Sequence, residues 1–146
     1  MTPRTTSTAP AASTSIFAID SGKDWAWAHI LNGILLAVGL RKLPSVLPAI
    51  TRLVVEKPHT GQSKASKKDI ITLAIRAGEV GGVVAHLTGI KPEYIEPVRW
   101  KGSVPKKVTN ERTLAKLTPE ELLVLGAKHN HNVLDAIGIA LYIVGR

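Results

Sequence analysis

Residues 15–40 read SIFAIDSGKDWAWAHILNGILLAVGL, and this stretch decides the fold. Four apolar residues, Ile16 to Ile19, run directly into Asp20 and then a Ser-Gly pair. The pattern predicts a buried strand over Ile16–Asp20 with a carboxylate at its tip. Trp25–Leu31 predicts a second strand, with Trp25, Trp27 and His29 on one face because successive side chains alternate. Asn32-Gly33 accepts the positive φ of a type I′ turn, so Ile34–Leu40 returns as a third strand. Three consecutive antiparallel strands are therefore expected.

Composition bounds the rest. The 146 residues are 45% hydrophobic, enough for a single core. One domain is expected over residues 16–146, after a Thr-, Ser-, Ala- and Pro-rich segment at 1–15 whose lack of periodicity predicts disorder. The absence of cysteine excludes disulfides, zinc-thiolate sites and thiol catalysis together. Nineteen Lys and Arg against eleven Asp and Glu give +8, a balance that favours a polyanionic partner, nucleic acid before membrane. The longest apolar candidate, Val133–Val144, is interrupted by Asp135 and Gly138 and falls short of the roughly 20 residues of a membrane span. With no secretory leader visible, an intracellular protein without a membrane partner is expected.

Leu53–Glu56 predicts a short apolar strand that again ends on an acid. A polar, basic loop follows through Lys68, with Asp69 as a candidate cap for a helix over the next twenty residues. Gly78, Gly81 and Gly82 each cost that helix about 1 kcal/mol relative to Ala, which suggests a backbone approaching another element closely. Tyr94–Trp100 predicts a fifth strand with Pro97 at an edge or end. The following KGSVPKKVTN reads as a basic loop, with Thr109 or Asn110 capping a helix over 111–117. Thr118-Pro119-Glu120-Glu121 opens another helix, and a last one covers about His131–Val144. Three strands, then strand–helix–strand, then helices, describe an α/β domain with a mixed sheet.

Three acids stand where an acid is expensive. Asp20 and Glu56 close apolar strands, and Asp135 lies inside the apolar run NVLDAIGIALYIV. An unpaired buried carboxylate costs several kcal/mol. Capping or salt bridges explain any one of them alone. All three together at one edge of an α/β sheet suit a shared hard divalent cation, whose charge offsets their desolvation.

FAIDSG, then VVEKP, then HNVLDAIGIALY resemble, in order and spacing, the RuvC family of Holliday-junction resolvases, members of the RNase H-like superfamily with bacteriophage-type branches. The resemblance covers about residues 16–146. It implies an RNase H-like fold with a five-stranded mixed sheet, three antiparallel strands then parallel strands, flanked by helices. It further implies a dimeric endonuclease that nicks four-way DNA junctions using two Mg²⁺ or Mn²⁺ ions, in the cytoplasm of a bacterium or a phage-infected host. Asp20 would bridge both ions, Glu56 would hold one and Asp135 the other. The helix after Glu56 is the expected dimer interface. One position departs from the family pattern: three residues before the last Asp, where an acid or histidine is usual, stands Asn132. His131 is one residue further back, and both share a helical face with Asp135. His131 is expected as fourth ligand or proton handler, with Asn132 the alternative.

The basic residues extend the expectation. Lys57, Lys64, Lys67 and Lys68 follow Glu56, and Lys101, Lys106 and Lys107 crowd the later loop. All seven are candidate DNA contacts, binding phosphates without reading bases. The role of steadying the scissile phosphate is carried by resemblance to Lys107, with Lys106 the near alternative. Trp25 and Trp27 suggest core packing, Trp100 is the aromatic beside the basic loop, and His59 and Thr60 are open candidates for DNA contact. The alternatives to a junction resolvase are a broader nuclease for flaps and other branched DNA, and a branched-DNA binder that has lost its metal. An actin-like ATPase shares the opening motif but needs two lobes, for which 146 residues are too few.

Overall fold

The computed structural model describes residues 13–22, 24–58, 67–126 and 130–146. Residues 1–12, His59, Thr60 and Lys64 lie outside them. Strands β1 (Ser15–Asp20), β2 (Ala26–Leu31) and β3 (Ile34–Leu40) form the expected antiparallel meander. The β2–β3 turn carries positive φ at Asn32 and Gly33, 50° and 80°. Strand β4 (Arg52–Glu56) pairs with β1 in parallel, and β5 (Pro92–Ile95) pairs with β4 in parallel. The sheet order is β3-β2-β1-β4-β5, so β1 and β4 are central neighbours. Their C-terminal residues, Asp20 and Glu56, therefore end at one edge of the sheet.

Each face of the sheet has its own core. Phe17, Ile19, Trp27, Leu53 and Val55 point to one side, where Ala77 and Val84 of helix α1 (Lys67–Thr88) cover them. Ile16, Ala18, Ala28, Ile30 and Val54 point to the other, under Val133, Ala136, Ile137 and Ala140 of helix α5 (His131–Ile143). Phe17 and Trp27 stack with centroids 5.1 Å apart, and the Trp27 indole donates to the Lys42 carbonyl. His29 is buried against the Ser15 hydroxyl at 2.8 Å. Trp25 packs at the margin of the same cluster, so both early tryptophans serve the core. Gly81 lets α1 sit on the sheet, since a Cβ there would meet Val55 at 3.1 Å.

Five expectations are corrected. Ser15 belongs to β1, so that strand starts one residue before the expected Ile16. The fifth strand is only Pro92–Ile95, because Pro97 starts helix α2 (Pro97–Lys101) instead of ending a strand. Proline suits the first helical position, where its missing N–H is not needed. Helix α3 (Lys106–Ala115) begins five residues earlier than expected, with Pro105 rather than Thr109 or Asn110 at its N-cap. Lys106 and Lys107 thus sit on its first turn, and Lys67 and Lys68 open α1 rather than lying in a loop. Finally, α1 is by length and composition apolar enough to cross a membrane, so Val133–Val144 was not the longest apolar stretch. Helix α4 (Pro119–Leu125) opens as expected, with a capping box between Thr118 and Glu121.

Candidate active site

Asp20, Glu56 and Asp135 are 6%, 9% and 4% exposed, so all three carboxyls are withdrawn from water. Strand β1 delivers Asp20, β4 delivers Glu56, and α5 presents Asp135 from its second turn. The Ser21 hydroxyl donates to the Glu56 carbonyl, which ties the two strand tips together just beyond the sheet. The side chains of Asp20 and Glu56 hydrogen-bond to each other, and Asp135 is close enough to act on both electrostatically.

Burial, then the charges of Glu56 and Asp135, push the Asp20 carboxyl from 3.8 up to about 8. Burial also raises Glu56 and Asp135 above the usual carboxylate range. The mutual bond raises Asp20 and lowers Glu56, so the pair is held together best with one proton between the two carboxyls. One oxygen of Asp135, Oδ1, is buried without a hydrogen-bond partner among the described residues. Such an orphaned acceptor is costly and marks a place where a positive ligand would be stabilising. Among the described residues, no three His, Asp or Glu side chains close on a common point as they stand. The donor set nonetheless fits a divalent ion. It offers oxygen ligands only, two already in contact and the third partly unsatisfied.

No family model matches the chain, and no curated protein matches it. Solved structures do. The RuvC structure from Thermus thermophilus aligns with a TM-score of 0.53 at 15% identity, over 90% of this chain and 96% of that one. T. thermophilus RuvC in complex with a Holliday junction substrate aligns with a TM-score of 0.59, again at 15% identity, over 88% and 91%. The chain has the RuvC fold. At this identity the likeness is one of architecture.

Around the acid cluster Lys101 acts through its charge on all three carboxyls and favours their ionised forms. Its ammonium lies 5.2 Å over the Trp100 ring. Lys106 Nζ is 3.9 Å from Asp135 Oδ2. Lys107, the residue expected to steady a phosphate, is exposed one position along α3 and makes no ion pair among the described residues. Lys57 pairs with Glu96 at 3.5 Å, away from the acids, while Lys67 and Lys68 are exposed on α1. His131 is the exposed first residue of α5 and acts on Asp135 through its charge. The Asn132 backbone N–H donates to the Asn130 side chain, which caps the helix. Sequence reasoning missed Trp100, whose indole Nε1 donates to Glu56 Oε2 at 2.6 Å. Its only sequence signal was its place beside the basic segment.

Proposed function

We propose that the protein is a divalent-metal-dependent endonuclease acting on branched DNA, with the four-way junction as its preferred substrate. The observation that carries this reading is the convergence of three buried carboxyls from β1, β4 and α5 at one edge of a RuvC-type sheet. Such an assembly costs stability and is explained by a cation. Asp20, Glu56 and Asp135 would hold Mg²⁺ or Mn²⁺. Two ions per site are expected by analogy with other acid-cluster nucleases. Bound metal supplies Lewis acidity, withdrawing charge from a phosphodiester and easing the ionisation of water.

The chain's own residues do the rest. The rigid β1–β4 pair fixes the two strand-tip acids, and Ser21 holds their spacing through the Glu56 carbonyl. Lys101 and Lys106 offer positive charge to the phosphate being cut, ahead of Lys107 on geometry. We assign proton handling at the edge of the site to His131, which shares a helical face with Asp135. Gly22 has open space where a side chain would stand, so a DNA strand can approach the tip of β1.

A junction has two strands to cut, which a two-fold dimer matches with two sites. We infer a homodimer through α1. Ile71, Ile75, Gly78 and Gly82 fall at i, i+4, i+7 and i+11, a single stripe. The isoleucines are more than half exposed, and no described residue stands within 4 Å of a Cβ added at either glycine. Ile75→Glu should yield a monomer in analytical ultracentrifugation, and an unchanged sedimentation coefficient would remove α1 from the interface. The functional reading is tested by incubating the protein with four-way junction, flap and linear duplex, with and without Mg²⁺. Junction cleavage that needs Mg²⁺ supports it. Equal cutting of flaps favours the broader nuclease, and binding without cleavage of any substrate favours a non-catalytic branched-DNA protein.

A further inference from the structure

Trp100 reaches from Glu56 to the helix that carries Asp135. It is half-buried, and its indole N–H donates to Glu56 Oε2 at 2.6 Å. The back of its ring lies against Gly138 of α5, where an added Cβ would fall 2.4 Å from ring carbon Cζ3. No side chain larger than hydrogen fits there. Gly138 is three residues after Asp135, so the socket for the ring and the third acid belong to neighbouring turns of one helix. Lys101 covers the ring from another side.

We propose that Trp100 is a positioning residue for the metal-binding carboxylate Glu56, seated in a socket made by Gly138. This rests on the nuclease reading above and extends it to a residue outside the acid cluster. A glutamate at a strand tip has three side-chain torsions, and each must be held for a ligand oxygen to stay in place. The Trp100 N–H occupies one oxygen, Oε2, and fixes the plane of the carboxylate. The bond from Trp100 leaves Oε1 and the remaining lone pair of Oε2 for the Asp20 carboxyl, or for a cation in its place. Because the same ring leans on α5, the position of Glu56 on β4 is referenced to the helix that carries Asp135. Partners that orient metal ligands in this way typically change metal affinity by ten- to a hundredfold when removed.

The test is direct Mn²⁺ binding by the full-length chain, read from the loss of the free-ion EPR signal, beside the melting temperature. Trp100→Phe keeps a ring in the socket and removes the N–H. Gly138→Ala keeps the N–H and displaces the ring, which has a cavity of about 120 Å³ beside it, lined also by Arg112, Thr113 and Tyr142, to move into. Each should weaken Mn²⁺ binding by about tenfold, and the double variant by less than the product of the two, since both act through one contact. Variants that melt earlier yet bind Mn²⁺ like the wild type make Trp100 a packing residue only and overturn the proposal. A second measurement needs no change at Trp100. In protein labelled with 5-fluorotryptophan, the Trp100 resonance, identified by elimination with Trp25→Phe and Trp27→Phe, should shift on Mg²⁺ addition with the midpoint of binding. A resonance unmoved at saturating Mg²⁺ overturns the proposal as well. If the wild type binds no Mn²⁺ at all, the nuclease reading falls and takes this inference with it. Normal wild-type binding with unaffected variants sinks this inference alone.

Discussion

Replacing Asp20 with Asn should stabilise the metal-free protein, and by an amount that grows with pH. In the unfolded chain this carboxyl ionises near 3.8, whereas in the fold burial and two neighbouring acids raise it to about 8. The folded state therefore binds the proton more tightly. Below pH 3.8 the group costs the fold nothing. Between about 4 and 8 the unfolded state gains by ionising while the folded state cannot, and stability falls as pH rises. Above about 8 the penalty is constant. At pH 7 the gap is about three pH units, or about 4 kcal/mol at 1.36 kcal/mol per unit, and at pH 5 it is about 2 kcal/mol. Asparagine is neutral at every pH, and its amide N–H can replace the shared proton as donor to Glu56. Urea unfolding in EDTA at pH 5, 7 and 8.5 measures the effect. The variant should be more stable by roughly 2–4 kcal/mol at pH 7 and by less at pH 5. Adding Mg²⁺ should then stabilise the wild type and leave the variant nearly unmoved, because only a binding-competent native state gains from the ligand. A variant that is less stable than wild type, or a difference independent of pH, would refute the reasoning.

Three further outcomes are expected. Lys101→Ala with Lys106→Ala should lower junction affinity and flatten its dependence on log salt by roughly 0.9 per lost phosphate contact, while Lys107→Ala does less; equal slopes would place the end of α2 and the start of α3 away from DNA. In single-turnover cleavage His131→Ala should cost at least about tenfold, some 1.4 kcal/mol of barrier, and Asn132→Ala less; the reverse order hands the role to the asparagine. Glu121, 2% exposed, is held down at about 2 from 4.5 by the Arg146 guanidinium and by the Thr118 and Leu35 N–H groups. Its contribution of about 3 kcal/mol is present above pH 4.5 and is lost as pH falls towards 2, so Glu121→Gln should flatten acid unfolding in that window; a retained slope would assign it to other carboxyls.

The meander was legible because its signals are local. Alternation in β2 and the Asn32-Gly33 turn need no tertiary information. The strand-tip acids were legible for a different reason, since a carboxylate after four apolar residues conflicts with burial wherever it occurs. The segment from Pro92 to Ala115 was misread because its signals are ambiguous without the fold. Pro97 both ends strands and begins helices, and KKVTN looks like a loop until Thr109 and Thr113 are seen buried one turn apart against α5. The Trp100–Glu56 bond spans 44 residues and the socket lies another 38 further on, beyond the reach of any periodicity. Lys101 gained prominence over Lys107 for the same reason. Helix α2 turns Lys101 towards the acids, while Lys107 is carried past them by α3.

The central claim is that the Asp20, Glu56 and Asp135 carboxyls are one metal-binding catalytic unit. Single-turnover cleavage of a four-way junction in Mg²⁺, by the wild type and by Asp20→Asn, Glu56→Gln and Asp135→Asn, tests it most directly. The wild type should cut, and each variant should lose at least about a hundredfold in rate, some 2.7 kcal/mol of barrier, while still binding the junction. A wild type that binds but never cuts in Mg²⁺ or Mn²⁺, or any of the three variants cutting at the wild-type rate, would contradict it.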